Sequence, residues 1–195
     1  MRYQSAFLTW LPLVVAISGI CLLVYVAVQQ NYRQSLNDPQ IQIAEDLAAK
    51  ISTGAAPASV ISKINPIIDL EKSLSPWKAV FDANGKVLAS DGLLDNKAPE
   101  LPLGVLQSAA RGQGKDSSMP NENRVTWQPR ENVRQAVVVV AVRGIDSSFY
   151  VVSGRNMREV EERVDGLSTI VIISWLIMVI MTGLMLVLPV YISRL

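Results

Sequence analysis

The order of apolar and polar positions divides this chain into three parts. From Ala6 to Val28 and from Thr169 to Ile192 no residue is charged, and apolar side chains occupy every helical face. The two blocks hold 23 and 24 residues. At 1.5 Å per residue, each predicts a helix that reaches across a hydrocarbon core of ~30 Å. Neither has the polar stripe of a helix at a protein surface, and two such helices buried as core would overfill a domain this small. Trp10 and Tyr25 sit near the ends of the first block, and Trp175 and Tyr191 near the ends of the second. Amphipathic rings prefer such interfacial positions. The first block is longer than the apolar core of a signal peptide. Val26-Ala27-Val28 runs straight into Gln29-Gln30-Asn31 with no small-x-small cleavage pattern, so the reading is an uncleaved anchor.

Between the blocks the pattern becomes that of an ordinary domain. Tyr32, Arg33 and Leu36 extend the first helix outward, and Asp38-Pro39 predicts a restart or kink, Pro being acceptable at a first helical position. Ile43, Leu47 and Ile51 then share an apolar face until Gly54 stops the helix. Val60, Ile61, Ile64, Ile67 and Ile68 predict a short helix over Pro57 to Leu70, weakened by Pro66. Trp77 to Ser90 is a hairpin, with strand-forming flanks around Asn84-Gly85, the pair that suits a type I′ turn. Leu103 to Arg111 predicts a helix ended by Gly112, and Gly112 to Asn123 an exposed loop. Three strands follow at Arg124 to Gln128, Arg134 to Arg143 and Phe149 to Ser153. The run Ala136 to Val142 is wholly apolar and therefore belongs inside the sheet, covered on both faces. Asn156, with Glu159 three residues on, starts a last helix in the manner of a capping box. Val160, Val164 and Leu167 line one face of that helix, which runs into the second apolar block with Gly166 its soft point.

Five strands split two and three, with helical material between them, predict an α+β domain built on an antiparallel sheet covered by helices. The layout is a tail (residues 1–5), a span (6–28), a domain with helical stalks (29–168), a second span (169–192) and a tail (193–195). Outside the spans only Arg2 and Arg194 lie on the short tails, and a long middle segment translocates largely regardless of charge. The expected orientation puts both tails inside and the middle outside, which in a bacterium is the periplasm or the medium.

Charge and composition remove several function classes. The 195 residues include 18 Lys+Arg, 17 Asp+Glu and no His. Setting aside Arg2 and Arg194 leaves 16 basic against 17 acidic residues, which argues against a nucleic-acid binder. Without His the usual general base and the commonest transition-metal ligand are missing. Cys21, the single cysteine, lies in the first apolar block, so no disulfide framework or thiolate cluster forms. A Ser or Thr nucleophile would need a Lys or a carboxylate pair as base. Asp82, Asp91 and Asp95 gather near the hairpin, but Asp in turns usually satisfies local backbone donors, and their spacing fits no EF-hand loop. No catalytic residue, metal site or cofactor is expected.

The residues Val80-Phe81-Asp82-Ala83-Asn84-Gly85-Lys86-Val87-Leu88-Ala89-Ser90 form one hairpin; Ala136 to Val142 and Phe149 to Arg155 lead into Glu159-Val160-Glu161. On these segments, set between two apolar spans, the chain resembles the PAS-like extracytoplasmic sensor domains called Cache or PDC, found in bacterial sensor histidine kinases and chemoreceptors. The resemblance covers roughly residues 30 to 165. It implies a five-stranded antiparallel PAS-like sheet with a long N-terminal helix, flanked by two transmembrane helices. It also implies a small-molecule pocket between the concave sheet face and the segment Asp91 to Asn123.

Residues able to reach that pocket are Trp77, Ala79 and Phe81, with Trp127, Phe149 and Val151 from later strands. Arg124, Arg134 and Arg143 suit a small organic acid or amino acid ligand, since a guanidinium holds a carboxylate bidentately. Such an aromatic stripe is more often plain core, and strand-end arginines are mostly solvated. Receptors of the family continue past the second span into a HAMP linker, a kinase or a methyl-accepting region, whereas here Ser193-Arg194-Leu195 follow. Without His there is no phosphoacceptor. The expectation is a membrane-anchored sensory domain that signals through its second span to another protein, such as a histidine kinase, or that is the input half of a longer receptor. The alternative is an accessory or scaffolding membrane subunit whose outer domain binds a partner protein. The Val160, Val164 and Leu167 seam suits either a homodimer or the other stalk, and neither span contains GxxxG.

Overall fold

The structure, a computed structural model, describes residues 2–61, 67–112, 121–144 and 147–192. The chain divides into two compact units, one of Met1–Arg33 with Glu161–Leu195 and one of Gln34–Val160. Two helices, α1 (Arg2–Ser52) and α3 (Arg158–Ile192), supply the first unit. Both are long and apolar enough to cross a membrane, and their most apolar windows are 0% buried within the protein.

In this first unit the helices pair antiparallel. The Trp10 indole donates to Thr182 Oγ1 at 3.3 Å, and the Trp175 indole donates to Ser18 Oγ at 2.9 Å. Each hydroxyl donates in turn to a carbonyl of its own helix, Met178 for Thr182 and Val14 for Ser18. The two indole N–H groups therefore find partners inside an apolar pair, where an unsatisfied donor is costly. The Trp10 ring packs beside Gly183, where a Cβ would meet it at 3.5 Å in ordinary van der Waals contact.

The second unit is α+β. Its strands are β1 (Ile68–Asp69), β2 (Trp77–Asp82), β3 (Val87–Ser90), β4 (Gly92–Leu93), β5 (Glu122–Arg130), β6 (Val133–Arg143) and β7 (Ser148–Asn156), with α2 (Leu103–Ala110) between β4 and β5. Five of them form an antiparallel sheet in the order β3-β2-β7-β6-β5, and β1 pairs with β4 in a separate parallel pair. The last strand thus occupies the middle. β7 joins the N-terminal hairpin to the C-terminal one by pairing with β2 on one side and β6 on the other.

Alternation along these strands feeds two cores. Trp77, Ala79, Phe81, Val137, Val139 and Val152 point to one face and pack with Leu70, Leu101, Leu106 and Ala109. Val80, Val138 and Val151 point to the other and pack with Ala44, Leu47, Ala48 and Ile51 of α1 and with Ile61. The wholly apolar stretch of β6 is required because both of its faces are buried.

Four local expectations are revised. The helix does not restart at Asp38-Pro39, because α1 runs unbroken to Ser52. Pro39 is exposed and forfeits one backbone hydrogen bond. The buried stripe Gln40, Ala44, Leu47, Ala48 and Ile51 that follows holds the helix on. It ends in a Schellman arrangement, with Gly54 at φ 100°, Ala55 N–H on Lys50 O and Gly54 N–H on Ile51 O.

Pro57 to Leu70 is not one helix: it begins with turns and ends in β1, while Ile64 and Pro66 lie outside the described residues. The reason is packing. Ile61 serves the α1-side core and Leu70 the opposite one, so the segment has no single apolar face. The β2–β3 turn is also not type I′, since Gly85 takes positive φ (82°) and Asn84 does not. Asp82 Oδ1 accepts the N–H groups of Asn84 and Lys86, and the Asp82 N–H donates to Lys86 O, so the loop has three residues, Ala83 to Gly85, and ends in a left-handed glycine. Finally, β5 and β6 extend toward each other to meet at Arg130 and Val133, with Asn132 left-handed (φ 62°) in the turn.

Candidate functional site

The aromatic face of the sheet is organised by its register. Trp77 lies opposite Gly154 on β7, which in turn lies opposite Val137 on β6. A Cβ at Gly154 would stand 2.5 Å from the indole, so the glycine makes the space the ring occupies. Trp77 and Phe81 are fully buried, and Trp127 packs against Trp77 with ring centroids 6.2 Å apart and planes tilted by 58°. Leu106 and Ala109 of α2 close the same face. Residues 113–120 of the loop expected above it lie outside the described residues.

The register brings Trp77, Ala79, Phe81 and Trp127 together and separates the others. Phe149 and Val151 are opposite Asp82 and Val80 and belong to the α1-side core, not to the Trp77 face. Phe149 instead helps line a cleft of about 160 Å³ with Ile51, Pro57 and Ser147. Arg124 pairs with Val138 and so shares that α1-side face. Its guanidinium grips Glu122, Nε to Oε1 at 2.5 Å, and the Glu122 side chain is 2% exposed. Arg134 is exposed and takes the same parity as Val138, while its carbonyl accepts the Met157 N–H. Arg143 has the parity of Val137 and Val139 but sits exposed at the far end of β6, opposite Ser148.

The aspartates near the hairpin have structural partners. Asp82 caps the turn as described, and Asp95, left-handed at φ 53°, accepts Arg130, which also holds Glu71 at 2.6 Å. Asp91 is buried; its Oδ1 accepts the Lys78 backbone N–H at 2.6 Å and its Oδ2 faces Lys78 Nζ at 3.2 Å. Among the described residues, no group of three or more His, Cys, Asp or Glu is placed to hold a metal ion.

Several buried polar residues had not been singled out. Gln135 is fully buried on the Trp77 face; its Oε1 accepts the Trp77 indole N–H at 3.0 Å and its Nε2 donates to Leu70 O at 2.8 Å. Its position one step before Ala136, in phase with Val137 and Val139, was the available signal. Among the described residues, neither amide atom of Gln40, on the buried stripe of α1, has a hydrogen-bond partner. An unmade bond of this kind costs about 1–3 kcal/mol. Gln40→Leu is therefore expected to raise the unfolding midpoint of the full chain in detergent, by about that free energy. A lowered midpoint would show that the amide holds a partner after all.

Comparison with protein-family profiles and with curated proteins found no match.

Proposed function

We propose that the chain is a two-span membrane protein whose middle domain, held outside the cytoplasm, is a sensory input of the Cache type. Its state is relayed through α3 to a separate output protein such as a histidine kinase. The observation that carries this reading is the path of β7. The central strand of the sheet ends at Asn156 and α3 begins at Arg158, with no linker in which a change in the sheet would dissipate. The membrane part rests on exposed apolar side chains. Leu8, Leu23, Ile170 and Met185 are each about two-thirds exposed, and a water-facing surface of that kind is unfavourable by ~25 cal/mol per Å². Lipid removes the penalty. The five-stranded antiparallel sheet, split two and three by α2, supports the family resemblance. The ligand class that suits the aromatic and arginine candidates is a small organic acid or amino acid. Homodimerisation through the Val164 and Leu167 face belongs to the same proposal, Val160 being already buried within the chain.

A second reading, an accessory subunit that binds a partner protein, is favoured by one fact: Trp77 and Phe81 are already fully buried, as in a filled core. A thermal-shift screen of the full chain in detergent separates the two. Amino acids and small carboxylates are tested singly, and a sensor is expected to be stabilised by at least one, by about 2.7 kcal/mol at a hundredfold excess over Kd. Stabilisation by none rejects the sensory reading and leaves the accessory one. For placement, Lys86→Cys in a Cys21→Ala background puts a thiol on the exposed hairpin turn. A membrane-impermeant maleimide added to intact cells is expected to label it; protection until lysis would put the domain inside.

A further inference from the structure

The strongest unexplained feature is a chain of buried hydrogen bonds that runs from the aromatic face to the start of α3. The Trp77 indole donates to Gln135 Oε1, and Gln135 Nε2 donates to the Leu70 carbonyl. The same carbonyl accepts Asn156 Nδ2 at 3.0 Å, and Nδ2 also reaches Glu71 O at 3.1 Å. Asn156 Oδ1 then accepts the Arg158 backbone N–H at 2.8 Å, in the role of a helix cap. Donor chemistry fixes each amide. Flipping Gln135 would set an NH₂ against an indole N–H and an oxygen against a carbonyl, and flipping Asn156 would do the same at both of its ends. Gln135 and Trp77 are 0% exposed and Asn156 is 4% exposed, so water offers these groups no substitute partner.

The loop between β1 and β2 is the shared element. Arg155 Nε donates to Leu74 O at 2.9 Å and Arg158 Nη2 to Lys72 O at 3.2 Å, so residues on both sides of the cap grip the same loop. Loop 70–74 is thus bound to the core through Gln135 and to the first turn of the exit helix through Asn156.

We propose that Gln135 is a positioning residue, coupling the Trp77 ring to the cap of α3 through the Leu70 carbonyl. Displacement of the indole releases Gln135, loosens loop 70–74 and weakens the first turn of α3. The proposal rests on the reading of α3 as the relay and names the device that would drive it. Trp77 has a double place in it: it lines the face where a ligand would act, and it is the first donor of the chain.

The test is hydrogen exchange on the full chain in detergent, comparing Trp77→Phe, Gln135→Met and the double variant. Trp77→Phe keeps an aromatic ring but loses the donor, and Gln135→Met keeps the side chain's length but loses both ends of the bridge. Each single variant is expected to raise exchange of the amides at Arg158–Val160 and in loop 70–74 by about tenfold. The double variant should go no further than the larger single, because both break one chain. Val137→Ala, on the same face but outside the chain, serves as the control for general loosening. It is expected to leave the Arg158–Val160 amides unchanged relative to those of β6 and β7. Additive effects, changes that stop at loop 70–74, or an equal response to Val137→Ala would each overturn the coupling. If Gln135→Met does not fold, Trp77→Phe decides: silence at Arg158–Val160 overturns the proposal. These outcomes are independent of the ligand screen, whose failure rejects sensing and leaves the coupling standing.

Discussion

Trp77→Ala is expected to abolish cooperative unfolding of the middle domain, or to shift it so far that little native protein is recovered at room temperature. The side chain is fully buried between Gly154, Trp127 and the α2 face. Truncating a buried Trp typically costs about 3–5 kcal/mol through lost transfer energy and the cavity left behind. It also strands Gln135 Oε1, an acceptor with no route to water, for about 1–3 kcal/mol more. Domains of this kind are stable by about 5–15 kcal/mol, so the sum removes a large part of the whole. Near-ultraviolet circular dichroism during urea titration of the detergent-solubilised chain reads the result directly. A tryptophan that merely lined an open pocket would behave otherwise: the midpoint would fall slightly, and only ligand-induced stabilisation would vanish. A midpoint within about 1 kcal/mol of wild type would therefore reject the packed-core role given to this ring.

How far the sequence foretold this arrangement depended on which physical signal each segment carried. The apolar run Ala136 to Val142 was legible because burial on both faces leaves no other composition open, and the two uncharged blocks because each is a long helix apolar on every side. Leu103 to Arg111 was legible for the opposite reason, a local helix with a left-handed glycine at its end; Gly112 has φ 65°. Pro57 to Leu70 misled because periodicity assumes one core, and this stretch serves two. The turn type at Asn84-Gly85 was missed because Asp82, two residues earlier, captures the backbone N–H groups of Asn84 and Lys86 and pulls the turn into another form.

The candidate site shows the same division. Alternation places Trp77 and Phe81 on one face, since they are four residues apart in one strand. Phe149 and Val151 required the pairing register of β2 with β7, which no local pattern contains. Gln135 was readable in principle, as a lone amide in phase with buried valines. Its partners were not, because Trp77 and Leu70 reach it from 58 and 65 residues before.

Arg124→Met is expected to destabilise the middle domain by about 3–5 kcal/mol, whether or not any ligand is present. The sequence marks Arg124 as a carboxylate holder for a small molecule; in the fold the carboxylate it holds is that of Glu122. Nε meets Oε1 at 2.5 Å and Nη2 meets Oε2 at 3.4 Å, and the side chains are 20% and 2% exposed. A charge so far from water is tolerated only while its partner remains, so removing the guanidinium leaves an uncompensated carboxylate in the interior. The penalty belongs to the orphan and not to the pair, which the double variant tests. Glu122→Gln combined with Arg124→Met replaces two buried charges by one neutral amide and one apolar chain, and most of the lost stability should return. Thermal denaturation of the three variants in one detergent gives the answer. If Arg124 were instead reserved for a ligand, the single variant would unfold at the wild-type midpoint, and the double variant would have nothing to restore.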